Sequence, residues 1–289
     1  MSENIEDVPK GNCENTRSIT LKTVLPVISF TLLTQFLTMM LVLSYISGKV
    51  SVPAYEPFGS SIPGSVGNSL VMLITVFFVT IGLVWLVKKK MFNFIKRFLT
   101  IFIIFAGIFL TSLLSQILLP TLISTENTSL ISIILSLVIG SIIGISALRP
   151  DNKLIGLISA LVLSVEVATY FALFLRPPTV FILPVIFSLY DVYAVFVGPL
   201  KTLISDGRVV LGPLVARLGI LEIGLGDIVF YSFLPSVGLI IRGVNGALFA
   251  IVTTNFGLLL TLLMLRKRKS FPGLPIPVIL TIAGLLFLS

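Results

Sequence analysis

Histidine is absent from this 289-residue chain, and cysteine occurs only once, at Cys13. Without histidine the chain builds no Ser-His catalytic pair, no HExxH zinc site and no histidine proton relay. A single cysteine forms no intramolecular disulfide and no multi-cysteine metal site. These absences exclude the serine–histidine and zinc routes to peptide-bond hydrolysis, and we expect neither a metal nor a cofactor.

Charged residues are also scarce, at 11% of the chain, whereas a soluble domain carries about 25%. Hydrophobic residues make up 56% of the sequence, and the mean hydropathy is +1.13. Such a chain lacks the polar surface that a water-facing globule requires, so it is predicted to be an integral membrane protein. The net charge of +8 does not indicate nucleic-acid binding, because the basic residues lie between apolar runs and form no basic domain.

Apolar runs divide the chain into nine predicted transmembrane helices, since one span needs about 20 mostly apolar residues. The predicted fold is therefore an all-α integral membrane protein with one membrane domain. Residues 1–22 form a polar cytoplasmic tail, residues 23–175 hold five scaffold helices, and residues 176–289 hold the last four. The predicted helices are 23–47, 69–87, 98–120, 129–148, 154–175, 178–200, 220–241, 243–265 and 272–289.

The positive charges support this count, because basic residues concentrate on the cytoplasmic side of a membrane protein. With the N-terminus in the cytoplasm, 17 of the 20 Lys and Arg residues fall in inside segments. The others are Lys49, Arg176 and Arg242. The predicted orientation has the N-terminus in the cytoplasm and the C-terminus outside.

Four acidic residues lie within predicted helices: Glu166 in the fifth, Asp191 in the sixth, and Glu222 and Asp227 in the seventh. A carboxyl at membrane depth is unfavourable, so each is a functional candidate. Glu166 is interpreted first as a structural hydrogen-bonding group, with a functional role left open. Glu222 is interpreted as an acid at a helix boundary that reaches the membrane surface.

Asp191 and Asp227 are predicted to lie at one depth, roughly 14 Å and 11 Å from the cytoplasmic face at 1.5 Å per residue. Sequential helices with a short connection pack side by side, which would bring the two carboxyls together. Two carboxyls that share a site do not both ionise readily, so the pair offers one base and one acid. The base can activate a water and the acid can protonate an amide carbonyl, without histidine or metal.

The residues beside each aspartate are also informative. Asp227 closes the sequence Gly224-Leu225-Gly226-Asp227, and Tyr190 precedes Asp191. The two glycines either leave room for a backbone, substrate or water, or reflect ordinary packing of small residues between membrane helices. The Tyr190 ring can donate a hydrogen bond or form a pocket wall.

The ninth predicted helix opens with Pro272-Gly273-Leu274-Pro275, followed by a third proline, Pro277. Proline lacks a backbone donor, so the segment is expected to put irregular backbone at the inner membrane edge, where it must be buried or line a watery cavity. The alternative is a plain helix start with proline in the first turn.

Together these motifs resemble the presenilin and signal peptide peptidase family of intramembrane aspartyl proteases. Tyr190-Asp191 is similar to the YD motif of that family, and Gly224-Leu225-Gly226-Asp227 is similar to its GxGD motif. Pro272-Gly273-Leu274-Pro275 is similar to the PAL motif, with Gly273 where the family has alanine. We expect this departure to be small, because glycine keeps the close approach of the backbone.

The resemblance implies that Asp191 and Asp227 are the catalytic pair. It implies that substrate and active site are supported by Tyr190, Gly224, Leu225, Gly226, Pro272, Gly273, Leu274 and Pro275. Its substrates would be transmembrane helices or signal peptides, which must unwind locally, and residues 272–277 could hold the unwound strand by strand addition. The short connection 201–219 implies a single uncut chain, and the compact chain resembles a prokaryotic, archaeal member in a cell membrane.

Two other functions are compatible with the sequence. Buried acids at matched depth also suit a proton- or cation-coupled transporter, although no repeat of broken helices is evident in the two halves. A pseudo-enzyme or channel on the same fold is the second alternative. A prepilin-peptidase type of protease is disfavoured, because it lacks the ninth helix with its proline segment.

Overall fold

A computed structural model gives the fold of the chain. It describes residues 21–49, 52, 54, 56–123, 127–148, 153–198, 215–219, 221–266 and 271–287. The predicted N-terminal tail before residue 21, most of the connection 201–219 and the basic cluster 267–269 lie outside these residues.

The described residues form eight helices and one β-hairpin. The elements are α1 (Leu21–Ser47), α2 (Ile62–Lys88), α3 (Phe92–Leu122), α4 (Thr128–Leu148), α5 (Lys153–Phe174), α6 (Thr179–Phe196), β1 (Val215–Leu218), β2 (Leu221–Gly224), α7 (Leu225–Leu265) and α8 (Pro275–Phe287). Each apolar run of the sequence folds as a helix, so the predicted helical membrane fold is confirmed.

Seven helices in the described part of the chain, α1 to α7, are long and apolar enough to cross a membrane. The 41 residues of α7 exceed what one span needs, about 20 residues. Gly243 interrupts this helix with φ 64° and ψ −154°, a conformation that favours glycine. The break divides α7 into an N-terminal segment, 225–242, and a C-terminal segment, 244–265. The last helix, α8, has 13 residues and is shorter than a typical span.

The N-terminal segment of α7 lies at the centre of the molecule. Every residue from Ile228 to Gly238 is buried, and α1, α5 and α8 pack around α7. A helix that is buried on all sides carries apolar residues around its whole circumference, as this segment does. The helix that begins with the GLGD sequence is thus held by the N-terminal scaffold and by the C-terminal helix together.

The hairpin β1–β2 corrects the predicted start of the seventh helix at residue 220. Val215 pairs with Gly224 and Arg217 with Glu222, in antiparallel register. Gly219, with φ 71°, allows the tight turn between the strands. Buried and exposed residues alternate along both strands, so that one face of the hairpin is buried and the other carries Arg217 and Glu222. This alternation with a period of two favours strands over a helix here.

The packing of α6 and the start of α2 differ in part from the predictions. α6 packs mainly against α2 and α8, and it also contacts α7 through the rings of Phe187 and Phe230, whose centroids are 5.2 Å apart. α2 begins at Ile62, seven residues before the predicted start at 69. Ser61 caps this helix by accepting a hydrogen bond from the Gly64 N–H at 3.2 Å, and Pro63 fits its first turn.

Candidate active site

Asp191 lies on α6, five residues before the end of that helix at Phe196. Its Oδ2 accepts a hydrogen bond from the backbone N–H of Leu274 at 3.0 Å, and the Gly273 N–H also interacts with this carboxyl. Leu274 directly precedes α8, so Asp191 lies at the N-terminus of that helix. Unpaired N–H groups and the helix dipole favour negative charge at such a position.

Asp227 lies in the first turn of α7, which is again a helix N-terminus. Its carboxyl lies directly against Gly273. A Cβ atom placed on Gly273 would be 2.7 Å from Asp227 Oδ2 and 2.9 Å from its Cγ, closer than real Cβ contacts. The carboxyl therefore occupies the space that a side chain at residue 273 would need.

The segment Gly273–Leu274 is the point at which the two aspartates meet. One carboxyl is hydrogen-bonded to its backbone and the other lies against its Cα, and the two carboxyls lie within range of each other's charge. Residues 271–274 are not helical, and α8 begins at Pro275. The predicted irregular backbone is present, and it lies between the two acids.

The two acids lie nearer to the ends of their helices than the sequence predicted. Asp227 is the third residue of α7 instead of the eighth of a helix starting at 220, because the hairpin takes up residues 221–224. α6 ends at Phe196, before the predicted end at 200, so Asp191 is also nearer to a helix end. Both acids still contact the segment before α8, since Asp191 accepts from the Leu274 N–H and the Asp227 carboxyl lies against Gly273.

Tyr231 is a site residue that sequence reasoning missed. Its side chain is 1% exposed, and its hydroxyl donates a hydrogen bond to the Gly273 carbonyl at 2.9 Å. It stands four residues after Asp227 on α7, which places both side chains on one face of the helix. That i, i+4 spacing was the available signal. Tyr231 thus holds the same backbone segment that contacts both aspartates.

Two residues of the predicted support lie away from the carboxyls. The Tyr190 hydroxyl donates to Thr80 Oγ1 at 3.3 Å, and its ring meets Phe77 of α2 edge-on. Tyr190 therefore fastens α6 to α2. Leu225 packs against the hydrophobic core around Ile103 and Leu163, so it anchors the start of α7.

The two glycines before Asp227 are not explained by close packing of helices. Gly224 has extended backbone angles, φ −63° and ψ 139°, and caps α7 from outside the helix. A Cβ on Gly224 would lie 3.5 Å from Asp227 Oδ2, an ordinary contact, and a Cβ on Gly226 would meet nothing within 4 Å. The predicted alternative of small-residue packing is therefore wrong, and open space lies beside Gly226.

The other two acids that the sequence singled out are separate from the aspartates. Glu222 lies on β2, not in a helix, and its Oε1 is 3.2 Å from Arg217 Nε on the paired strand. Glu166 is 6% exposed on α5 and accepts a hydrogen bond from the Thr111 hydroxyl of α3. This contact agrees with the structural interpretation of Glu166.

The family model described as "Presenilin" matches residues 16–208, which is more than half of the chain. The chain belongs to the presenilin family. The matched region includes Asp191 of this presenilin-family chain and ends before Asp227, so the assignment rests on the larger N-terminal part. The predicted family resemblance is confirmed.

A curated relative and two solved structures are similar to this presenilin-family chain. Presenilin-B of Dictyostelium discoideum is 38% identical over 122 residues, which cover 38% of this chain and 24% of that protein. A presenilin family intramembrane aspartate protease solved in space group C222 aligns with TM-score 0.64 and 20% identity, covering 91% of this chain and 97% of the other. The same kind of protein solved in space group P2 gives TM-score 0.61 and 22% identity, covering 90% and 94%. At these identities the structures show that the fold is shared.

Proposed function

We propose that this presenilin-family chain is an intramembrane aspartyl protease that hydrolyses peptide bonds within transmembrane segments or signal peptides. The observation that carries the proposal is the meeting of Asp191 and Asp227 at Gly273–Leu274. Family membership supports it, as does the fold shared with two structures of an intramembrane aspartate protease. Asp191 and Asp227 are the proposed catalytic residues, and no cofactor takes part.

The two carboxyls divide the chemistry between them. The Leu274 N–H stabilises an anion at Asp191, so we assign the base to Asp191 and the acid to Asp227. Asp191 takes a proton from water as the water oxygen bonds to the carbonyl carbon, and Asp227 protonates the carbonyl oxygen. When the C–N bond breaks, the Asp191 proton passes to the leaving nitrogen and the intermediate returns a proton to Asp227. Both carboxyls end in their starting states.

The proposal includes the topology that the sequence predicts. The described residues contain nine helical segments: α1 to α6, the two segments of α7 on either side of Gly243, and the short helix α8. With the N-terminus in the cytoplasm, the end of α6 and the start of α7, which carry the two aspartates, lie near the cytoplasmic face. Residues 271–274, which precede α8, can lack regular structure there because Pro272 and Leu274 are buried in protein.

An unwound substrate strand needs free backbone groups to pair with, and residues 272–277 offer few. Three prolines lack the N–H, while Tyr231 and Asp191 already bond the Gly273 carbonyl and the Leu274 N–H. The strand β2 is better suited. It pairs only with β1 in the described part of the chain, and it leads directly into Asp227 through Gly224. We therefore assign substrate pairing to the free edge of β2.

Proteolysis of a labelled transmembrane peptide by the purified protein in liposomes tests the function. We expect cleavage at an internal bond of the membrane segment, located by mass spectrometry of both products. Liposomes with a trapped pH-sensitive dye report proton movement in the same preparation. Proton flux without cleavage, over a panel of peptides, would contradict the protease proposal and support the transporter.

Replacing Gly226 by leucine tests whether the open space beside it receives substrate. We expect KM to rise by about tenfold, because the new side chain fills space next to Asp227 that the substrate backbone needs. Stability should not fall, since leucine is a better helix former than glycine. The matched control is Gly82→Leu on α2, another glycine with nothing within 4 Å of its Cβ position. An unchanged KM in Gly226→Leu would place the substrate elsewhere.

A further inference from the structure

Pro235 leaves one carbonyl of α7 without its usual helical partner. In an α-helix the carbonyl of residue i accepts from the N–H of residue i+4, and proline has no N–H. The carbonyl affected by Pro235 belongs to Tyr231, which lies inside the buried run of α7. A buried carbonyl without a donor is destabilising, so another group must supply the hydrogen bond.

Gln35 of α1 supplies that bond. Its Nε2 donates to the Tyr231 carbonyl oxygen at 3.1 Å, and its side chain is 1% exposed. A buried amide in the middle of a membrane helix is unfavourable unless all its groups are bonded, so this placement needs a reason. The unpaired carbonyl created by Pro235 provides one.

Asn255, on the C-terminal segment of α7, fixes the orientation of the Gln35 amide. Its Nδ2 donates to Gln35 Oε1 at 2.8 Å and to the Ile251 carbonyl at 2.8 Å. Thr31 of α1 donates to Asn255 Oδ1 at 3.1 Å, which fixes the Asn255 amide in turn. Gln35 therefore presents its NH₂ group, and not its oxygen, to Tyr231.

These contacts lead to the aspartates through Tyr231. The backbone carbonyl of Tyr231 accepts a hydrogen bond from Gln35. The hydroxyl of the same residue donates a hydrogen bond to the Gly273 carbonyl at 2.9 Å. Gly273 lies against the Asp227 carboxyl, and its neighbour Leu274 bonds Asp191. The hydrogen bonds thus run from α1 to the backbone between the two acids.

We propose that Gln35 and Asn255 are positioning residues that hold Tyr231, and through it the Gly273–Leu274 segment, in place for catalysis. The inference rests on the proposed protease function for its kinetic consequence. Its structural part, that Gln35 holds Tyr231, stands independently of any activity. A scaffold helix outside the motif-bearing region thereby sets the geometry of the catalytic pair.

Gln35→Met tests this proposal, because methionine keeps the unbranched shape and removes the donor. We expect kcat to fall by about tenfold or more with KM within about twofold, since reacting groups are displaced and substrate contacts are not. Thr34→Val is the matched control: it removes the bond that Ser232 donates to Thr34 Oγ1 at 2.9 Å, at the same α1–α7 interface. This control should keep kcat near the parent value.

Pro235→Ala provides a rescue that a purely structural role of Gln35 would not show. Alanine restores the N–H that Tyr231 needs, so Gln35→Met should cost much less activity when combined with Pro235→Ala than alone. If Gln35→Met does not fold, Asn255→Leu removes the donor to Gln35 Oε1 and tests the same network. An equal loss of kcat with and without Pro235→Ala would overturn the proposal.

A 3-fluorotyrosine at position 231, observed by ¹⁹F NMR, separates this inference from the proposed function. We expect Gln35→Met to shift or split the fluorine signal and Thr34→Val to leave it in place. A parent that cleaves nothing but shows this pattern would refute the protease proposal and keep the positioning of Tyr231. An unmoved signal in Gln35→Met would refute the positioning of Tyr231, whatever the activity.

Discussion

Asp191→Asn and Asp227→Asn are each expected to lower the cleavage rate by about 10⁴-fold, the upper range for loss of a positioned general acid or base. Asparagine has the shape of aspartate but can neither accept the proton of water nor return one. The amide oxygen that Asp191→Asn introduces could still accept from the Leu274 N–H, so this variant should stay folded. Initial rates on the transmembrane peptide, with melting temperatures of each variant, measure the effect.

Glu166→Gln is the matched control for the aspartate variants. It neutralises another buried carboxyl, bonded to Thr111 and separate from Gly273–Leu274. We expect its rate to stay close to that of the parent. If either asparagine variant cleaves at more than about a tenth of the parent rate, that carboxyl is not a catalytic acid or base. If Glu166→Gln is as inactive as the aspartate variants, the loss of cleavage would reflect a general requirement of the protein for its buried acids and not a catalytic role of the two aspartates.

Gly273→Ala is expected to lower kcat by about 10²-fold, because a displacement of about 1 Å in a reacting group has effects of that size. A Cβ at this position would lie 2.7 Å and 3.0 Å from the two carboxyl oxygens of Asp227. The side chain of Asp227 is the part that can move, so the substitution should shift the carboxyl and leave the fold intact. Single-turnover kinetics on the transmembrane peptide isolate this chemical step.

Gly156→Ala on α5 is the control for this substitution, because its Cβ would meet nothing within 4 Å. It should keep both kcat and the melting temperature. Full activity in Gly273→Ala would mean that Asp227 adjusts to the methyl group without loss. The expectation from the motif, that glycine in place of alanine is a small departure, would then be correct for this chain.

The sequence predicted the helical membrane fold well, because a span is recognised from composition alone. A bilayer requires about 20 apolar residues with all backbone groups bonded within the segment. The runs that became α1, α4 and α5 therefore have observed ends within about two residues of the predicted ones. The start of α7 was missed, because a short alternating hairpin and a helix start are both compatible with the residues before Asp227.

The residues of the candidate site stand out in the sequence where they form short consecutive motifs, and they do not where the contact joins residues far apart in the chain. Asp191, Asp227 and the segment 272–275 stood out as acids and prolines within apolar runs, and the structure brings them together. Tyr190 was expected beside them but faces α2. Which face of a helix points to which neighbour depends on the packing of the whole bundle.

The sequence by itself determined that the chain enters the membrane many times, which acids lie in its apolar runs and which backbone near them is irregular. These properties follow from local composition and from missing N–H groups. Only the tertiary structure decided that Gln35 bonds the carbonyl left free by Pro235, and that Tyr231 reaches Gly273. Gln35 and Tyr231 are 196 residues apart in the chain. They meet because the helices of the packed bundle must bury their apolar faces against one another and at the same time give each buried polar group a hydrogen-bond partner.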